Sequence, residues 1–215
     1  MYPAGNLFIP VWHGQLEAII KEPKDAEVRG AALVCHPLPT HGGTMHNKVV
    51  YRAATGLLDA GLVTLRFNFR GVGASSGEFS NGVGEKEDVQ AALDYLSANY
   101  PDQPITLGGF SFGSRIGTEV GAADERVVRL ISIGTPVNKY EYAYMQNLDK
   151  PILFVHGDKD EFGALEKLQA LVEGLPVKAD AKLVVFENCG HFFDNHLNEL
   201  KTAVQTWTDE QIKRG

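Results

Sequence analysis

The sequence has only two cysteines, Cys35 and Cys189. Two thiols cannot build a disulfide scaffold, so a reduced, cytoplasmic setting is expected. No apolar run approaches the roughly 18 residues that a membrane span needs, and no membrane association is expected. No basic stretch followed by an apolar one opens the chain, so no secretory leader is expected. Positive charge is not in excess: 20 Lys and Arg stand against 27 Asp and Glu, a formal charge of −7. Without a broad basic footprint the chain is not expected to bind nucleic acid, and a small-molecule substrate is the better expectation. Internal repeats, heptads and low-complexity linkers are missing too. The composition, 44% hydrophobic and 22% charged, excludes a disordered, collagen-like or coiled-coil chain. At 215 residues, a single domain over 1–215 with a sizeable core is expected. Glycine is plentiful, 23 residues with no collagen period, which points to many tight turns at strand ends.

The order of elements is informative. Residues 6–12 and 15–21 read as two strands around His13-Gly14, a hairpin. Short apolar runs at 31–35, 62–67, 105–107, 127–133, 152–155 and 183–186 read as further strands. Helical spacing falls at 44–60, 85–100, 112–122, 162–174 and 194–213. A charged turn, EPKDAEVRG, follows the hairpin. Apolar strands separated by amphipathic helices imply an α/β fold with a mostly parallel sheet and helices on both faces. Ligands bind beyond the carboxyl ends of such strands. The segments to inspect are therefore HPLPTHGG, RGVGASSGEF, GFSFGS, GTPVNKYEYAYM, HGDKDEF and ENCGHFF.

The most specific of these is Gly109-Phe110-Ser111-Phe112-Gly113, which follows one strand and opens one helix. This is the G-x-S-x-G pattern in its strand–turn–helix setting. A nucleophile at such a tight turn has a strained backbone, and neighbouring backbone passes close two residues before and after it. Glycine at both places removes the collision. The alternative is a plain glycine-rich turn in which Ser111 caps the helix. Gly113, Gly117 and Gly121 lie along one helix face, so that helix is expected to pack very closely on the sheet.

A serine hydroxyl needs an adjacent base. With the chain order serine, acid, histidine, only His156, His191 and His196 qualify. His191 stands on a loop after the last strand and is the expected base. His156 ends an apolar strand and is expected to be a packed, hydrogen-bonded core residue. His196 falls inside a predicted helix and is expected at the surface. Asp160 is the expected acid, although spacing alone separates it poorly from Asp158, whose plainer role is an Asx turn. An oxyanion hole needs backbone amides. Phe112 supplies one. In HPLP the prolines have no N–H, which leaves Leu38 for the other.

At this point the chain resembles the α/β-hydrolase superfamily, close to its compact, lid-poor dienelactone-hydrolase-like and esterase-like bacterial members. The matching pieces are CHPLPTHGGTMHNKVV, FNFRGVGASSGEF, GGFSFGS, HGDKDEF and CGHFF, spanning 35–193. The resemblance implies Ser111 as nucleophile, Asp160 as acid, His191 as base, and Leu38 and Phe112 amides as oxyanion donors. It implies a serine hydrolase for small carboxylic esters or thioesters, acting as monomer or homodimer without cofactor or metal. Dienelactone hydrolases look like cysteine enzymes, so the serine here favours ordinary ester chemistry. A non-catalytic binding protein on the same fold and a serine peptidase of the superfamily are the alternatives.

Weaker signals remain. The loop 71–77 spaces its glycines as GxGxxxG, and a shaped loop is expected there rather than a phosphate cradle. His36, His41 and His46 lack a carboxylate partner for a zinc site. Cys189 is expected to be a small packed residue. About 15 residues separate the strands around Tyr140, Tyr142, Tyr144 and Met145, too few for a lid domain, since loops of this length make at most flaps. A short flap is expected there, with Tyr140, Tyr144 and Phe192 lining a substrate pocket, and Phe112 and Phe193 adding apolar wall. Arg66, Arg70 and Arg115 are candidates for an anionic substrate, with structural pairing the commoner outcome.

Overall fold

Strand β1 (Asn6–Val11) and strand β2 (Gly14–Lys21) pair antiparallel, with Val11 opposite Gly14. The turn is therefore Trp12-His13, one residue earlier than His13-Gly14. This register turns Leu7, Ile9 and Val11 to the same apolar cluster as Leu16, Ala18 and Ile20. A slip of one residue would expose that whole set. The computed structural model describes residues 5–24 and 27–214; Asp25 and Ala26 of the charged turn lie outside the described residues.

Six further strands follow: β3 (Ala31–Cys35), β4 (Val63–Phe67), β5 (Ile105–Phe110), β6 (Val127–Ile133), β7 (Ile152–Gly157) and β8 (Lys182–Phe186). They form one sheet in the order β1-β2-β4-β3-β5-β6-β7-β8, antiparallel within the hairpin and where β2 joins it to β4, and parallel from β4 to β8. β3, β4, β5 and β7 are buried along their whole length. A parallel sheet covered on both faces requires such unbroken apolar runs. Helices α1 (Lys48–Asp59) and α5 (Leu197–Arg214) cover one face, around Val49, Leu57, Val204 and Trp207. The other face is covered by α2 (Gly84–Asn99), α3 (Phe112–Ala123) and α4 (Leu165–Glu173), around Val89, Leu93, Ile116 and Leu168.

Three helices start later than their apolar spacing suggests, and at two of them a side chain sets the start. The Asn47 side chain accepts from the Val49 amide at 2.9 Å and sets the start of α1 at Lys48 rather than 44. The Asp160 carboxylate takes the amides of Phe162 and Gly163, so α4 begins at Leu165 rather than 162. α5 begins at Leu197, which leaves His196 half-buried before it, stacked on Phe186 at 5.5 Å rather than at the surface of a helix. No helix among the described residues is long and apolar enough to cross a membrane.

The strand order has one functional consequence. From β3 the chain crosses through α1 to β4; from β5 it crosses through α3 to β6, on the opposite side. Adjacent β3 and β5 thus send their connections in opposite directions, and the loops beyond them part to leave a crevice.

Candidate active site

Ser111 stands between β5 and α3 with φ 55° and ψ −121°. A non-glycine residue held there costs about 1–3 kcal/mol and persists only where the surroundings enforce it. They do. The Ser111 amide donates to the Ile133 carbonyl at 2.9 Å. Its own carbonyl accepts from the amides of Ser114 and Arg115 and from the Ser114 hydroxyl. The flanking glycines are forced: a Cβ on Gly109 would stand 2.3 Å from the Gly113 oxygen, and one on Gly113 would stand 2.4 Å from the His36 oxygen. Gly121 is also confined, 2.6 Å from Leu130 Cδ2, but Gly117 is not. A Cβ there would meet Cys35 Sγ at an ordinary 3.5 Å, so the close-packed stripe expected of three glycines holds at two of them.

Ser111 Oγ lies 2.9 Å from His191 Nε2, and His191 Nδ1 lies 2.8 Å from Asp160 Oδ2. His191 and Asp160 are both buried. The carboxylate accepts, so Nδ1 carries the imidazole proton and Nε2 turns its lone pair to the serine hydroxyl. The other Asp160 oxygen is held by the Phe162 and Gly163 amides at 2.9 and 3.1 Å. Asp158 points elsewhere: its Oδ1 accepts from the Cys189 amide at 3.1 Å. His156 is fully buried and donates to the Gly163 carbonyl at 2.6 Å. Burial lowers its pKa, against the opposing pull of the Gly163 carbonyl and Asp160.

The chain matches the model of the alpha/beta hydrolase domain over residues 33–213. It belongs to the α/β-hydrolase family. An uncharacterized protein of Rickettsia prowazekii is 37% identical over 185 residues, 82% of this chain and 77% of that one. The structure is similar to an alpha-beta serine hydrolase homologue from Coxiella burnetii. There the TM-score is 0.89 and the identity 39%, over 96% of this chain and 98% of that one. It is also similar to an α/β serine hydrolase without lid from Xanthomonas campestris. That match has a TM-score of 0.87 and 33% identity, over 98% of this chain and 97% of the other.

Within this α/β-hydrolase domain, the Phe112 amide is the first of α3, and the Leu38 amide lies on the loop after β3. Neither is donated to another protein group among the described residues. Leu38 is fixed from its carbonyl side, which accepts the His41 and Gly43 amides at 3.1 Å each. His36 fixes it from the other side, and sequence reasoning missed this. Its Nδ1 donates to the Pro37 carbonyl at 2.6 Å, and its Nε2 accepts from the Phe69 amide at 3.0 Å. Both nitrogens are committed to backbone, and burial lowers the pKa from 6.5 to about 4, against the opposing Pro37 carbonyl. A histidine directly after a fully buried strand was the available signal.

The expected substrate pocket is only partly assembled. Phe192 is half-exposed and stands edge-on to His191 at 5.3 Å. Tyr144 is bonded through its hydroxyl to Thr118 at 2.7 Å and lies against the Arg115 guanidinium, on α3. Tyr140 lines a cavity of about 440 Å³ with Val137, Met145 and Leu171, and neither Ser111 nor His191 lines it. The intervening segment is no raised flap: Ala143–Asn147 forms a tight 3-10 turn with Met145 fully buried. Phe112 and Phe193 belong to the core, packed on Phe69 and Phe186 respectively, and not to a pocket wall.

The arginines are engaged structurally. Arg66 donates to the Met45 carbonyl, Arg70 forks onto Asp88, and Arg115 pairs with Glu119. In the 71–77 loop the Ala74 amide is taken by the Glu17 carboxylate at 2.9 Å, and the Ser76 amide by the Gln15 carbonyl at 2.8 Å. The hairpin's acceptors thus occupy amide donors that a phosphate would have needed. Cys189 is buried, and burial pushes its thiol up to about 11.

Proposed function

We propose that this chain is a serine hydrolase that cleaves small carboxylic esters or thioesters through an acyl-enzyme. The observation that carries the reading is the unbroken hydrogen-bonded line from Ser111 Oγ through His191 to Asp160. His191 Nε2 takes the hydroxyl proton as Ser111 Oγ bonds to the carbonyl carbon. The carbonyl electrons move to oxygen, where the Leu38 and Phe112 amides hold the charge. Collapse of this intermediate breaks the bond to the alcohol or thiol, and His191 returns the proton to it. Water then attacks the acyl-enzyme with the same roles, releasing the acid and the free serine. Apart from substrate and water, these steps draw on Ser111, His191, Asp160 and the two amides. We propose a cytoplasmic enzyme for a small-molecule substrate, acting as monomer or homodimer.

A panel of p-nitrophenyl esters and acyl thioesters, run with the wild type and Ser111→Ala, tests the reading. Turnover by the wild type that disappears in the variant supports it. A panel with no Ser111-dependent turnover overturns it in favour of a binding role.

A further inference from the structure

His191 stands on an awkward stretch of chain. Three non-glycine residues around it have left-handed backbone: Asn188 at φ 53°, Phe193 at φ 56° and Asn195 at φ 68°. Such a loop does not hold one shape by local preference; something must impose it. Downstream of His191, the fully buried Phe193 side chain anchors it in the core against Phe110 and Phe186. Upstream, the fastening comes from the loop that carries the acid. The Asp158 amide donates to the Phe186 carbonyl at 3.0 Å, and the Lys159 amide to the Cys189 carbonyl at 2.9 Å. The Asp158 carboxylate in turn accepts the Cys189 amide at 3.1 Å. Both polar backbone groups of Cys189 are therefore gripped by residues 158 and 159. Gly157 permits the approach, since a Cβ there would stand 2.2 Å from the Cys189 oxygen.

We infer that Asp158 is a positioning residue: through the Cys189 amide it keeps the histidine loop in register with the acid loop. The geometry makes the two loops one unit, so that Asp160 and His191 meet at 2.8 Å while the imidazole still reaches Ser111 at 2.9 Å. Asp158 touches none of the three. The side chain is suited to the task because it stays charged. Burial pushes its pKa up, but the Cys189 amide, the Lys159 ammonium and the Asn188 amide outweigh this and leave it below the usual carboxylate range. A charged acceptor makes a stronger hydrogen bond than a neutral one. Glu161 adds a longer contact to the His191 amide at 3.4 Å. Of these two contacts from a carboxylate to a loop amide, to Cys189 and to His191, the Cys189 bond is the shorter.

This inference rests on the hydrolase reading, and its test separates the two. Asp158→Ala removes the acceptor; Asp158→Asn keeps an oxygen that can accept the same amide. In Asp158→Ala, kcat and the fluorophosphonate labelling rate should fall together by about tenfold to a hundredfold, since small displacements of catalytic groups cost that much. KM should stay within about twofold, because substrate contacts are untouched. Asp158→Asn should restore most of both rates. The low-field proton NMR signal of the His191–Asp160 hydrogen bond should broaden in Asp158→Ala and return in Asp158→Asn. If Asp158→Ala does not fold, Asp158→Ser, whose shorter hydroxyl falls short of the Cys189 amide, takes its place. An inactive Ser111→Ala beside an Asp158→Ala with wild-type kcat, labelling and NMR signal would overturn the clamp and leave the hydrolase reading standing. Wild-type turnover by Ser111→Ala would overturn the hydrolase reading, and with it the role given to Asp158.

Discussion

The Gly113 Cα faces the His36 carbonyl so closely that an added methyl would lie 2.4 Å from its oxygen. The obstacle is backbone on both sides, at the crossing of the serine elbow with the loop that presents Leu38. Gly113→Ala should therefore destabilise by at least the roughly 1–3 kcal/mol of ordinary core overpacking. Gly117→Ala, one turn along the same helix, should instead stabilise by about 0.5–1 kcal/mol, because the space is ordinary and alanine is the better helix former. Urea midpoints of the two variants check this, and a shift of both in the same direction would contradict it.

Asp160→Asn separates structure from chemistry. The amide oxygen can still accept the Phe162 and Gly163 amides, so the thermal midpoint should stay close to that of the wild type. The amide nitrogen facing His191 Nδ1 would favour the wrong tautomer. On the pattern of such triads kcat should drop by about 10⁴-fold. An ester assay beside a thermal melt decides it. A variant that keeps its activity would remove Asp160 from the assigned role.

Leu38→Pro deletes an amide proposed as one oxyanion donor. The backbone there has φ −50°, within reach of proline, so the change removes an N–H without demanding a new φ at residue 38. A loss of about 10²- to 10³-fold in kcat is expected from one missing donor. Circular dichroism should show an intact fold. Unchanged kcat would assign the second donor to another amide.

His36 predicts an acid limb in stability. Its folded pKa, about 4, lies below the unfolded value of 6.5. Between those values the unfolded chain binds the extra proton. The full stability is thus present above pH 6.5 and is lost as pH falls toward 4. The loss attached to this residue is of the order of 3 kcal/mol. His36→Gln, which does not titrate, should show a shallower fall of unfolding free energy over that range. An identical slope would place the acid sensitivity elsewhere; His156, also lowered by burial, is the next group to replace.

The strands were legible because burial on both faces of a parallel sheet leaves long apolar runs, as at Ala31–Cys35 and Ile152–Gly157. Helix starts were not, because side chains set them: Asn47 capping α1, and Asp160 drawing two amides away from α4. The meeting of Ser111, Asp160 and His191 was legible because elbow chemistry calls for those residue types after particular strands. The tyrosines were not. Tyr144 is fixed by Thr118 and Arg115, contacts that exist only once α3 is folded beneath it. His36 escaped for the same reason, since its partner, the Phe69 amide, arrives only when β3 and β4 pair.

The central claim is that Ser111 is the nucleophile, and covalent labelling tests it most directly. After treatment with a fluorophosphonate, intact-mass spectrometry should show one adduct on the wild type, and peptide mapping should place it on Ser111. Ser111→Ala should carry none. Equal labelling of the two proteins, or an adduct mapped to another residue, would contradict the account.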